Sequence, residues 1–124
     1  MANNYGFVYL ISNQCMPNIY KIGYTDRSPM QRVFELSNST SCPLPFDLVC
    51  YMEIYDAQQA ELNLHIEFQE NRLSPDREFF DFELPFLFEN VMPLFKERGE
   101  NFTSCLKFYD LESKWITFNY EPLP

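Results

Sequence analysis

The spacing of apolar and polar positions changes period several times along the chain, and each change marks an element. Phe7-Val8-Tyr9-Leu10-Ile11-Ser12 is aromatic and β-branched and predicts a strand, followed by a loop from Asn13 to Asn18 that contains Pro17. Ile19 to Tyr24 predicts a second strand that returns antiparallel. Side chains alternate faces along a strand, so Phe7, Tyr9 and Ile11 share one face, as do Ile19, Lys21 and Gly23. Register then decides whether Tyr9 and Lys21 meet.

Ser28-Pro29-Met30-Gln31 opens a helix, with Ser28 as N-cap, Pro29 in the first turn and Gln31 completing a capping box. Met30, Val33, Phe34 and Ser37 are the expected inner face, Arg32 lies off that stripe, and the helix is expected to stop near Asn38. Ser39 to Pro45 is turn-rich, and Phe46 to Tyr55 predicts a third strand. Asp56 then caps a second helix. Ala57, Ala60, Leu64 and Phe68 gather on one side of it, with Glu61 at the border of that stripe and His65 one turn on. A carboxylate bordering an apolar face needs a partner. Glu78 to Phe82 predicts an edge strand, Leu84 to Arg98 a helix that Pro93 kinks or shortens, and Gly99 suits its C′ position. Leu106 to Asp110 and Lys114 to Asn119 predict a terminal hairpin.

Composition fits one compact domain: 124 residues, 46% apolar and 18% aromatic, enough large side chains for a core without staples. The pattern divides it into residues 1–83 and a C-terminal helix and hairpin, 84–124, packed on them. The run of 18 uncharged apolar residues that a membrane span requires is absent, and the first residues lack the basic and apolar character of a signal peptide, which points to the cytoplasm. Cys15, Cys42, Cys50 and Cys105 form no Cys-x-x-Cys pair and are expected to be free thiols, mainly core filler. Charge constrains partners more sharply. Nine Lys and Arg against 18 Asp and Glu give −9, whereas a chain that grips nucleic acid usually carries a basic field.

Val8-Tyr9, a short loop, Tyr20-Lys21-Ile22-Gly23-Tyr24-Thr25, Arg32, and Glu61 on a later helix resemble, in that order, the GIY-YIG nuclease superfamily. The likeness covers about the first two-thirds of the chain. It is closest to a phage branch with a Lys-Ile-Gly second motif, an Arg-x-x-x-Leu-Ser stretch (Arg32 to Ser37), a Glu-x-x-x-His helix (Glu61 to His65) and an Arg-Glu-Phe-Phe ending (Arg77 to Phe80). Phe7 stands where the superfamily has the glycine of its first motif, Lys21 where much of it has a tyrosine, and its site-closing asparagine has no clear counterpart.

The resemblance implies an α+β fold: a small, mainly antiparallel three-stranded sheet flanked by helices. It also implies hydrolysis of DNA phosphodiester bonds with one divalent ion, Mg2+ or Mn2+. Glu61 would ligate the metal, Arg32 would contact phosphate, and Tyr9 would orient or deprotonate the attacking water, with Lys21 favouring its phenolate. Tyr20, Gly23 and His65 would support the site, Gly23 by allowing close approach of ligand to backbone. Arg27, Arg72 and Arg77 would join Lys21 and Arg32 in one basic cleft. Plainer readings stand beside these: Tyr9 as an ordinary strand tyrosine, Gly23 as a bulge, His65 as a satisfied helix-edge histidine, Arg32 and Glu61 as a structural ion pair. The C-terminal acids, Asp81, Glu83, Glu89, Glu97, Glu100, Asp110, Glu112 and Glu121, are a solvated surface or, clustered, a mimic of DNA phosphate facing a basic protein partner. The second function class is therefore a catalytically inactive acidic binding protein, such as an inhibitor of a nucleic-acid-binding host protein.

Overall fold

In a computed structural model, residues 4–39, 44–74 and 78–105 are described. Strand β1 (Tyr5–Asn13) turns directly into β2 (Met16–Thr25), so the expected six-residue loop shrinks to Gln14-Cys15. Asn13 explains the tightness: its side-chain oxygen accepts from the Cys15 N–H at 2.8 Å while its amide nitrogen donates to the Leu44 carbonyl at 2.8 Å. Ser12 pairs with Tyr20 but Asn13 with Met16, so Pro17, Asn18 and Ile19 bulge out of the ladder. Asn18 carries the bulge with a left-handed φ of 65° and offers its carbonyl to the Phe82 N–H at 2.9 Å. Asn18→Ala is therefore expected to lower stability by about 1 kcal/mol, and Asn18→Gly to leave it unchanged or slightly raised, as read from urea midpoints.

Helix α1 (Pro29–Ser39) follows, its first turn held by the Ser28 hydroxyl and carbonyl. Strand β3 (Asp47–Tyr55) pairs antiparallel with β1, and Asp56, left-handed with a φ of 54°, caps α2 (Ala57–Glu67) by accepting from the Gln59 N–H. After a single 3-10 turn, β4 (Phe79–Asp81) joins β2. The expected long helix is divided into α3 (Leu84–Phe86), a π-helical stretch (Leu87–Val91) and α4 (Met92–Arg98). Pro93 thereby falls at the start of α4, directly after the wider π-helical turn. Gly99 ends that helix by donating to the Phe95 carbonyl, and β5 (Asn101–Ser104) pairs with β3.

The class is α+β, as expected, but among the described residues the sheet has five antiparallel strands in the order β4-β2-β1-β3-β5 rather than three. Short strands extend both edges of the central trio. The predicted hairpin over 106–119, together with Arg77, Cys42, Asp110, Glu112 and Glu121, lies outside the described residues. Asp81, Glu83, Glu89, Glu97 and Glu100 are all exposed.

Period-two alternation sorts the two sheet faces. Val8, Leu10, Ile22, Met52 and Phe80 pack with Leu64 of α2 and with Leu87, Val91 and Phe95, so residues on both sides of position 84 share one core. The opposite face carries Tyr9, Ile11 and Leu48 under Val33 of α1. Met30 and Phe34, expected on the inner side of α1, are instead exposed, and Val33 and Leu36 face the sheet. Of the described cysteines only Cys50 is core; Cys15 and Cys105 are exposed. No helix among the described residues is long and apolar enough to cross a membrane.

Candidate functional site

The site grows from the end of a ladder. In β2 alternate residues aim their N–H and C=O groups at the same neighbour, and Ile22 directs its N–H to the carbonyl of Glu78 at 3.2 Å. β4 begins one residue later and runs the other way, so among the described residues its pairing with β2 reaches no further than Ile22. Side chains of α2 meet the backbone of β2 from there on. His65 Nε2 lies 3.0 Å from the Ile22 carbonyl, and because a carbonyl only accepts, this nitrogen carries the proton. Glu61, one turn earlier, accepts from the backbone N–H of Tyr24. The carboxylate is thus held at the sheet edge with only 5% exposure.

Register supplies the second component. Tyr9 pairs with Gly23 and Ile11 with Lys21, so Tyr9 crosses the strand over a residue with no side chain. A Cβ at position 23 would lie 2.5 Å from Tyr9 Cζ and 2.9 Å from Cε1. Gly23 is therefore the floor of the Tyr9 ring rather than a place for ligand to approach backbone. Across that gap the phenol reaches the edge where Glu61 sits. Arg32, from α1, donates to the Tyr9 hydroxyl. The expected alternative, an ion pair of Arg32 with Glu61, is replaced by this bond.

Electrostatics follow from the burial. Desolvation holds the Tyr9 phenol above its usual range, against the Arg32 hydrogen bond and charge, and the negative charges of Glu78 and Glu61 add to the rise. Tyr9 is therefore a neutral phenol in the free protein, and the expectation that Lys21 favours its phenolate is corrected: Lys21 is ion-paired with Glu78 and lies 5.7 Å from the Phe79 ring centroid. Glu61 is pushed up to about 7, first by burial and then by the charge of Glu78, with Lys21, the Tyr24 N–H and Arg72 pulling the other way. His65 is lowered by burial, and its 3.8 Å separation from Glu61 is too long for a hydrogen bond.

Tyr9, Gly23, Lys21, Arg32, Glu61, His65 and Arg72 thus share one neighbourhood, and the others do not. Tyr20 belongs to the opposite face, buried in the main core with its ring centroid 5.9 Å from that of Phe82. Arg27 is turned to Glu35, its Nη2 2.6 Å from the carboxylate. The residue missed by pattern is Glu78, which sits in the Arg-Glu-Phe-Phe motif; its partner Lys21 lies 57 residues away, so only the β2–β4 register brings them together.

The family model that matches the chain is that of the T5orf172 domain, over residues 6–92. This phage-linked, nuclease-like family replaces the GIY-YIG superfamily as the assignment. No curated protein and no solved structure matches the chain.

Proposed function

The chain belongs to the T5orf172 domain family, and from that premise we propose that it is a phage-encoded, metal-dependent endonuclease that hydrolyses DNA phosphodiester bonds in the host cytoplasm. The observation that carries the reading is the meeting of Tyr9, Arg32 and the buried Glu61 beside β2. A carboxylate whose proton affinity is raised by burial and by a neighbouring charge, as in Glu61, is the kind of group found at functional sites.

Glu61 suits Mg2+ or Mn2+, hard ions that bind through one or two carboxylates together with substrate phosphate and water. No group of three or more His, Cys, Asp or Glu able to hold a metal occurs among the described residues, so phosphate and water would complete the coordination. The ion would supply Lewis-acid polarisation of the phosphate. Arg32 would clamp a phosphate oxygen with its planar fork and oppose the charge that develops there. Tyr9, neutral and already accepting from Arg32, would use its O–H to orient the attacking water instead of deprotonating it. Lys21 and Arg72 add positive charge beside Glu61, whereas Arg27 is committed to Glu35. At a net charge of −9, DNA binding is expected to be weak and to fall steeply with salt.

Cleavage of supercoiled plasmid at low salt with Mg2+ or Mn2+ tests the reading. Wild type is expected to nick the plasmid, Arg32→Ala to slow it by roughly a hundredfold or more, and Tyr9→Phe, which keeps the ring over Gly23, by roughly tenfold to a hundredfold. Absence of wild-type cleavage across substrates and metals would overturn the nuclease and favour an acidic, catalytically inactive protein that binds a basic partner.

A further inference from the structure

The Lys21–Glu78 pair has an asymmetry that a structural ion pair does not need. The ammonium is the inner partner, with 14% of its side chain exposed, and the carboxylate is the outer one, with 40% exposed. Lys21 sits within the β2–β4 ladder opposite Phe79, whose ring lies beside the ammonium. Glu78 precedes β4, and its contribution to the ladder is its backbone carbonyl, accepting from Ile22. Its side chain can therefore swing away without breaking a backbone bond, while Phe79 keeps Lys21 in place. The Glu78 carboxylate, bonded to the ammonium, lies where an anion bound to Lys21 would sit. Lys21 also acts on Glu61 electrostatically, so an anion held there would lie in the same neighbourhood as the proposed catalytic carboxylate.

We propose that Lys21 is a phosphate-binding position, and that the Glu78 carboxylate occupies the seat of a nucleic-acid phosphate until the backbone of the substrate displaces it. The proposal rests on the nucleic-acid reading given above and deepens it. Carboxylate and phosphate oxygens are interchangeable partners for an ammonium, which binds them as a point charge without fixed geometry. The exchange leaves the ammonium paired throughout, and the 40% exposed carboxylate returns to water when the phosphate takes its place. The device suits an acidic protein: binding uncovers a cation that is otherwise neutralised.

Fluorescence anisotropy with a short labelled DNA duplex, in EDTA so that nothing is cut, tests it. Glu78→Gln is expected to tighten Kd by roughly threefold to fivefold and to steepen its salt dependence by about one released counterion. Glu78→Ala, as a second variant, is expected to show the same gain. In a Lys21→Gln background the gain should vanish down to that of Glu89→Gln, an exposed acid in the π-helical stretch that reports only the change in net charge. The proposal is overturned by wild-type binding with no gain in either Glu78 variant, or by an equal gain in the Lys21→Gln background or in Glu89→Gln. Failure of the wild type to bind DNA at any salt would remove this inference and the nuclease reading together.

Discussion

Glu61→Gln is expected to stabilise the folded protein above neutral pH while abolishing cleavage. The folded protein keeps a proton on Glu61 up to about pH 7, whereas an ordinary carboxyl releases it near 4.5. Across that window the folded state binds more protons than the unfolded chain, so stability falls as pH rises from about 4.5 to about 7 and then levels off. The whole cost is on the order of 3 kcal/mol, and it is fully present above the folded pKa. A neutral glutamine keeps the size of the side chain and removes the charge that burial penalises. The variant should gain about 1–3 kcal/mol at pH 8, on the order of 5–10 °C in Tm, and little at pH 4. Cleavage should drop roughly a thousandfold with loss of the metal-binding oxygen charge. A divalent ion should raise the wild-type Tm more at pH 8 than at pH 6, because it competes with the proton, and should leave the variant unmoved. Thermal melts at both pH values decide the matter. Destabilisation by Glu61→Gln at pH 8 would mean that the carboxylate is structural.

Local pattern carries most of the elements, while non-local geometry decides the contacts. Glu61 was visible from its place at the border of an apolar stripe, and Asp56 and Ser28 from the oxygens they offer to the first turns of the helices. Alternation alone placed Tyr9 on a face that Gly23 and Lys21 could share. Choosing between those two partners required the two-residue turn at Gln14-Cys15 and the bulge at Asn18, and neither is encoded by apolar period. His65 remained ambiguous for the same reason, since the acceptor for its Nε2 is a carbonyl on another strand. Met30 and Phe34 misled because hydrophobicity reports a preference for burial and not its fulfilment: Val33 and Leu36 fill the space above Tyr9 and Leu48. The edge strand β4 is legible in Glu78 to Phe82, whereas β5, four residues long, is too short for a reliable period; the three-stranded sheet comes from the family resemblance and not from the pattern.

The register also makes Gly23→Ala the most disruptive small substitution in the site. The added methyl would enter the Tyr9 ring at 2.5 Å from Cζ, and Tyr9 is only 2% exposed, held beneath Val33 and beside Ile11 and Leu48. The ring has no free direction in which to turn, so either the β1–β2 ladder opens or the phenol leaves Arg32. Overpacking of this kind costs about 1–3 kcal/mol or more. A displacement of about 1 Å at the hydroxyl should reduce cleavage roughly a hundredfold even in molecules that remain folded. If the steric argument is right, the penalty belongs to the pair and not to position 23 alone. In a Tyr9→Ala background the methyl should enter the space vacated by the ring, and Gly23→Ala should then cost little. A double-mutant cycle by urea denaturation is expected to show a coupling of about 1–3 kcal/mol. Additive losses would place the cost in backbone conformation, and the role of Gly23 as the floor of the Tyr9 ring would fall.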